Sequence, residues 1–260
     1  AGADLNIGCP QRRAREGFYG SWMQEDWDLC CAIIAAARAA CPRGFAITAK
    51  LRVQYCERGT RPSTERTVEF ARRLVAAGAD LIALHARVRG SPEQRRAGAA
   101  DLAVVRALVD AGLGVPILSN GNVRSREDVA LNLRATGADG VMVAEELLRD
   151  PSLFAPEKIS APALVGAYLD LLRECDIPRE DGSVSGKDGA VTRARTEGVE
   201  RYSVWWANIE VLRCHVKRML ERGGSSSKET LQRNTFRKAA TLADVDRYLR
   251  GRLRLAEPAE

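Results

Sequence analysis

No apolar run in this chain approaches the roughly 18 to 20 residues of a membrane span, and its first residues resemble neither a signal peptide nor an amphipathic transit peptide. A soluble protein without a membrane partner is therefore expected. Cysteine occurs seven times, an odd and irregularly placed set without a C-x-x-C pair. That pattern indicates neither a disulfide framework nor a zinc site, so no metal is expected and a reducing compartment fits best. Histidine is scarcer still, with two residues in the chain. Nor does charge commit the protein: 40 basic against 34 acidic side chains leave +6, which is compatible with a polyanionic partner without establishing one.

What is present is a chain of 260 residues, 45% of them hydrophobic, enough for one sizeable core and a small second domain. Asp4-Leu5-Asn6-Ile7-Gly8-Cys9-Pro10 ends a short buried-strand pattern in a cysteine followed by a chain breaker, and a helix begins near Trp27. A strand, a loop and a helix in that order predict a parallel α/β unit with its functional residues at the strand's carboxyl end. The pattern recurs. Ala46–Arg52 precedes a helix over Thr64–Ala77, Asp80–His85 one near Ala100–Ala111, and Val115–Gly121 one from a Ser125 cap to Ala135; Gly140–Ala144 adds a last strand. Ala77-Gly78-Ala79-Asp80 and Thr136-Gly137-Ala138-Asp139 are matching helix stops. Five such units require parallel pairing through crossovers, as in a (β/α)8 barrel or a doubly wound sheet. After Pro151 the pattern changes: a helix over Ala161–Cys175, a Gly-, Ser- and charge-rich flexible loop over 178–200, a helix from Tyr202 to Arg222 with Ile209, Leu212, Val216, Met219 and Leu220 at core spacing, a Gly-Gly-Ser-Ser-Ser turn, and one or two further helices. Residues 1–155 thus read as a partial barrel and 156–260 as a small all-α domain.

The chain resembles the tRNA-dihydrouridine synthases through six segments in order: D-L-N-I-G-C-P-Q at 4–11, Gly17-Phe18-Tyr19-Gly20, T-A-K-L-R at 48–52, L-H-A-R at 84–87, S-N-G-N at 119–122 and G-V-M-V-A-E at 140–145. Asp150-Pro151-Ser152-Leu153-Phe154 follows in the family's order, and the Q-R-R-A-R-E-G-F-Y-G stretch after the cysteine looks most like the eukaryotic subfamily acting on positions 16 and 17 of the D-loop. The resemblance implies a TIM (β/α)8 barrel, here an incomplete C-terminal portion of about five βα units. It also implies an FMN-dependent oxidoreductase that uses NADPH to reduce uridine in tRNA, acting as a monomer in the cytoplasm, with the nucleus or an organelle as alternatives.

Reducing the C5–C6 bond of uracil calls for a hydride to one carbon and a proton to the other; the cofactor carries the electron chemistry, and the protein supplies orientation and the proton. Cys9 is the expected proton donor, because a thiol ordinarily stays protonated at neutral pH; outside the motif it would be a small buried hydrophobe before a turn. Asn6 and Arg52 are expected to bind substrate, although an asparagine there also suits a turn. Lys50 and Arg52 alternate on one strand and so share a face. By resemblance, Lys50 meets the flavin ring and His85 its phosphate or ribityl chain, while Asn120, Gly121, Asn122, Ala144 and Glu145 surround the phosphate, chiefly through backbone donors. Arg213, His215 and Lys217 are expected to meet tRNA, with Arg12, Arg13 and Arg15 as a second contact; a solvated charged face is the plain alternative.

Two features depart from the family. Where it usually has H-G-R-T this chain has His85-Ala86-Arg87-Val88, and a methyl at 86 is expected to crowd a close backbone approach. Five units also fail to close an eight-stranded barrel. A fragment, an incomplete gene product or a degenerate copy is therefore expected, with an exposed parallel edge and little activity of its own. The rival readings are a noncatalytic tRNA-binding remnant and a different FMN barrel enzyme acting on a small molecule.

Overall fold

A computed structural model describes residues 1–56, 59, 61–90, 98–175, 193–196, 199–202, 209–221 and 242–255, along 172–175, 193–196, 199–202, 209–213 and 242–244 by the backbone alone. The chain divides into two compact units, Ala1–Val143 and Ala144–Glu260, a boundary somewhat before the change of pattern near Pro151.

In chain order the first unit holds strand β1 (Gly2–Ile7), helix α1 (Arg12–Glu16), a 3-10 turn at Gly20–Glu25, α2 (Trp27–Ala40), β2 (Ala46–Arg52), the short β3 (Gln54–Tyr55) and β4 (Pro62–Ser63), α3 (Thr64–Ala76), β5 (Leu81–His85), α4 (Leu102–Asp110), β6 (Ile117–Asn120), α5 (Arg126–Thr136) and β7 (Gly140–Met142). Its main sheet runs β1-β2-β5-β6-β7, every neighbouring pair parallel. The five expected strands are all present, in an α/β arc that does not close among the described residues.

Local chemistry sets the boundaries. Asp26, Ser63, Asp101 and Ser125 each accept a backbone N–H in the first turn of a helix, and Ser125 completes a capping box with Asp128. Gly137 ends α5 in the left-handed conformation at φ 68°, which costs a glycine little. The two matching stop signals also share a second role. The Asp80 carboxylate accepts the Ile47 N–H at 2.7 Å, and Asp139 accepts that of Ile117 at 2.8 Å, so each stop fastens the start of a neighbouring strand. The Ile47 N–H, helped by Arg38, holds the Asp80 carboxyl below its ordinary range.

One sheet face carries Ile7, Ile47, Ala49, Leu51, Ile82, Leu84 and Ile117, packed with Ile34, Phe70, Leu74, Val104 and Leu108 of the helices in a continuous core. Burial of each large side chain is worth about 1.5–3 kcal/mol before the entropy of ordering it. The helices cover this face, and polar residues occupy the opposite one.

The second unit holds α6 (Ala161–Cys175), a hairpin of β8 (Arg193–Thr196) and β9 (Val199–Tyr202), α7 (Ile209–Glu221) and α8 (Leu242–Leu253). Leu164, Val165, Leu169, Val216, Met219, Leu220, Val245 and Leu249 form its core. Tyr202 lies in β9 and not at a helix start, and the loop expected over 178–200 contains β8 and the start of β9. The rest of that loop and the Gly-Gly-Ser-Ser-Ser turn lie outside the described residues. Among the described residues no helix is long and apolar enough to cross a membrane, and no cluster of His, Cys, Asp or Glu has the makings of a metal site.

Candidate active site

Parallel register decides which side chains share the polar face. Asn6 pairs with Lys50 and Lys50 with Ala83; one layer nearer the carboxyl ends, Arg52 pairs with His85 and His85 with Asn120. Because residues two apart on a strand point the same way, Asn6, Lys50, Arg52, His85 and Asn120 lie on one face, opposite Ile47, Ala49 and Leu51. Asp4 and Thr48 extend it toward the amino ends, joined by a hydrogen bond of 2.7 Å from the Thr48 hydroxyl.

Cys9 follows β1 in a loop that is fastened at each end. The Asn6 Oδ1 accepts the N–H groups of Gly8 and Cys9, both at 3.1 Å, the turn that an asparagine at a strand end favours. Its amide nitrogen has no hydrogen-bond partner among the described residues. The Cys9 carbonyl accepts the Ser21 N–H at 2.9 Å and the Ser21 hydroxyl at 3.0 Å. Gly20 makes this possible: it holds φ +61°, and a Cβ there would lie 2.6 Å from the Cys9 carbonyl oxygen, so glycine is required twice over. The Gly17-Phe18-Tyr19-Gly20 segment is thus the strap that returns the chain to Cys9. Cys9 is partly exposed. Cys30, by contrast, is buried, donates to the Met23 carbonyl, and is pushed up to about 12 by that burial, which makes it unreactive.

Arg52, 4% exposed, donates from Nε to the Gly8 carbonyl at 2.7 Å and from Nη1 to the Val88 carbonyl at 3.0 Å. Its backbone N–H donates to Gln24 at 2.7 Å. This guanidinium therefore ties the Cys9 loop to β2 and to the segment after β5. Burial pushes it down to about 10, helped by the Arg87 charge and opposed by Cys9 and Tyr55. Lys50 is half-buried without a hydrogen-bond or ion-pair partner among the described residues. Burial lowers its ammonium to about 8, with Arg52 adding to the effect and Asp4 opposing it.

The β5–β6 side is internally bonded. The Arg87 Nη1 donates to His85 Nε2 at 2.9 Å; since a guanidinium only donates, that nitrogen accepts, and the ring proton of a neutral His85 sits on Nδ1. Arg87 also donates to the carbonyl of Gly98 and to Asn122 Oδ1. Asn122 accepts the Ala100 N–H and donates to the Ala100 carbonyl, while Asn120 donates to the Met142 carbonyl at 2.6 Å. Gly121 holds φ +124°, and a Cβ there would lie 2.8 Å from that of Ala100; its carbonyl accepts from Asn132. Ala86 is fully buried in the core, so its methyl points away from the polar face and does not crowd it.

Ala144 and Glu145 open the second unit, where the Glu145 carboxylate pairs with Arg149 at 3.3 Å. On α7, the His215 Nδ1 lies 2.8 Å from the Tyr168 hydroxyl, and exposed Lys217 stands 4.0 Å from Glu221. The Arg213 side chain lies outside the described residues. Sequence reasoning missed Ser21, Gln24 and Arg87 as residues that hold the site, although Ser21 directly follows the glycine strap and Arg87 ends the L-H-A-R segment.

A family profile described as dihydrouridine synthase matches residues 1–178. A tRNA-dihydrouridine(16/17) synthase (NAD(P)+)-like protein of Rattus norvegicus is 37% identical over 179 residues, covering 67% of this chain and 37% of its own. The tRNA-dihydrouridine(16/17) synthase of Schizosaccharomyces pombe is 31% identical over 72% of this chain and 46% of its own, and a tRNA-dihydrouridine(20a/20b) synthase-like protein of Homo sapiens is 28% identical over 68% and 52%. The chain thus spans about a third to a half of the length of these relatives. Among solved structures, a nitroalkane oxidase from Streptomyces ansochromogenes reaches a TM-score of 0.34 at 18% identity, over 64% of this chain and 38% of that one, too slight a likeness to bear on the assignment. The profile takes in the whole parallel sheet, the clamped cysteine and the polar face, with higher identity to the 16/17 relatives than to the human 20a/20b one: the chain belongs to the dihydrouridine synthase family.

Proposed function

We propose that this protein reduces uridine to 5,6-dihydrouridine in tRNA with FMN and NADPH, and that Cys9 supplies the proton. The observation that carries this reading is the backbone clamp on Cys9, with the half-buried Lys50 ammonium 3.8 Å from where a Cβ on the adjoining Gly8 would lie and without a hydrogen-bond or ion-pair partner among the described residues. Lys50 lies on the polar face and Cys9 in the loop at the carboxyl end of β1, the end of a parallel sheet where barrel enzymes hold their chemistry.

The fit to a flavin differs between the two ends of the site. Lys50 is suited to the ring end, since a desolvated cation gains from an electron-rich group brought against it. At the phosphate end, the side chains of Asn120 and Asn122 and the Nε2 of His85 are already bonded within the chain. A phosphate there would rely on backbone N–H groups, with Gly121 allowing close approach. When bound, the flavin supplies the hydride, which NADPH replaces, leaving NADP+. Cys9 gives its proton to the other carbon of the uracil double bond and regains one from solvent. Asn6 offers its amide N–H groups to the uracil edge, and Arg52 acts by fixing the Gly8 carbonyl. Arg213, His215 and Lys217 contribute contacts to tRNA phosphates, as tRNA binding by such a face would require.

The internal bonding at the phosphate end favours a second reading, a tRNA-binding member that holds no flavin. One experiment separates the two. The full-length protein is purified and its absorbance near the flavin bands is read beside mass spectrometry of digested tRNA incubated with NADPH. Bound flavin and new dihydrouridine support the enzyme; tRNA binding with neither rejects it.

A further inference from the structure

We infer that a cleft beside the Cys9 loop receives a second unstacked base of the RNA, next to the one that is reduced; this rests on the reading of the site as an RNA-modifying centre. The cleft encloses about 440 Å3 between the loop after β1, the end of β2 and the segment after β5, and its walls include Ser21, Trp22, Glu25, Tyr55, Arg66 and Arg89. That volume lies within the range of roughly 300–1,000 Å3 typical of small-ligand sites.

The chemistry of the walls selects the ligand. Single-stranded RNA is recognised by stacking unpaired bases on aromatic rings and guanidinium planes and by hydrogen bonds to base edges. Here the Arg89 guanidinium lies 3.8 Å from the centre of the Trp22 ring, so cationic plane and ring already form one platform, and Tyr55 adds a second ring. The Trp22 indole N–H is buried without a hydrogen-bond partner among the described residues. A buried donor of this kind is costly until an acceptor reaches it, and a base carbonyl or ring nitrogen is such an acceptor. Glu25 does not repel RNA strongly, because its carboxylate is paired with Arg89 at 2.7 Å. The cleft is also close to the chemistry: Arg89 donates to the Ser21 carbonyl at 3.1 Å, and Ser21 in turn donates to the Cys9 carbonyl. A base held here would anchor the RNA strand beside the thiol and add to its affinity.

The test uses the full-length protein with in vitro tRNA transcripts. Trp22→Leu and Tyr55→Ala are each expected to raise the KM for tRNA about tenfold, as loss of a stacking platform does, with kcat and the KM for NADPH unaffected. Tyr55→Phe, which keeps the ring, restores the wild-type value. An abasic nucleotide beside the target uridine is expected to raise the wild-type KM by the same factor and to add nothing in the Tyr55→Ala protein. Additive effects, an unchanged KM for tRNA, or a raised KM for NADPH alone would overturn the inference. A wild-type protein that forms dihydrouridine but ignores the abasic change defeats this inference only, whereas one that forms none defeats the activity reading and this inference with it. Should Trp22→Leu fail to fold, Tyr55→Ala and the abasic transcript decide.

Discussion

Along β1 and β2, Asn6 keeps its amide nitrogen and Lys50 its ammonium without hydrogen-bond partners among the described residues. Along β5 and β6, the Nε2 of His85 and the side chains of Asn120 and Asn122 are bonded to the chain itself. Burial does not explain the contrast, since Lys50 is half-buried and Asn122 is exposed. The second half must hold two loops and the terminal strand β7 in place, and its amides do that work. The first half holds its loop with Arg52 and the oxygen of Asn6, helped by Ser21, and its remaining polar groups are left for a ligand. A family motif therefore mixes residues that meet a ligand with residues that keep the others in position, and only geometry separates them.

Four measurements would break or sharpen that contrast. The largest effect is expected on the first half: Cys9→Ala should lower dihydrouridine formation by at least about 100-fold, the scale of a lost proton donor, while tRNA affinity stays the same; undiminished turnover would remove Cys9 from the chemistry. On the second half, Asn122→Ala removes the bonds to Ala100 and Arg87 and should lower unfolding stability by about 2–3 kcal/mol in denaturant titration. If instead it left stability intact and abolished flavin binding, the two halves would be alike.

Lys50→Met gives a pH signature. The folded-state value near 8 lies below the ordinary 10.5, so between those values the unfolded chain binds more protons than the native one, and stability rises with pH. The burial cost is thus fully present below about pH 8 and fades toward pH 10.5. The variant should gain on the order of 1–3 kcal/mol over the parent at pH 7, with the gap narrowing by pH 10; a gap independent of pH would mean that the ammonium has a partner. The smallest effect belongs to the helical unit: Lys217→Gln should change stability by less than about 0.5 kcal/mol while reducing the salt slope of tRNA binding by about one.

Much of the fold was legible because it rests on local chemistry. The five strands ended where polar residues interrupted apolar runs, and the Ser125 cap and the two Gly-Ala-Asp stops marked helix ends. The hairpin of β8 and β9 was not legible: charge and glycine surround it, and Val199-Glu200-Arg201-Tyr202 sets its apolar residues three apart, without the alternation of a strand. Ala86 could have been read better: strand parity from His85 sends its methyl to the core. The bonding of Asn120 and Asn122 was not legible at all, because an amide's partner depends on which loop passes it in space, and Met142 and Ala100 are about twenty residues away in each case.

Ser21 has a mechanical consequence for the cysteine it grips. With its N–H taken by Asn6 and its carbonyl by two donors from Ser21, Cys9 retains a single soft coordinate, rotation about its own Cα–Cβ bond. The sulfur can swing without dragging the main chain, so the entropy of aligning it with a reacting carbon is largely lost once, at folding, and not again in each catalytic cycle.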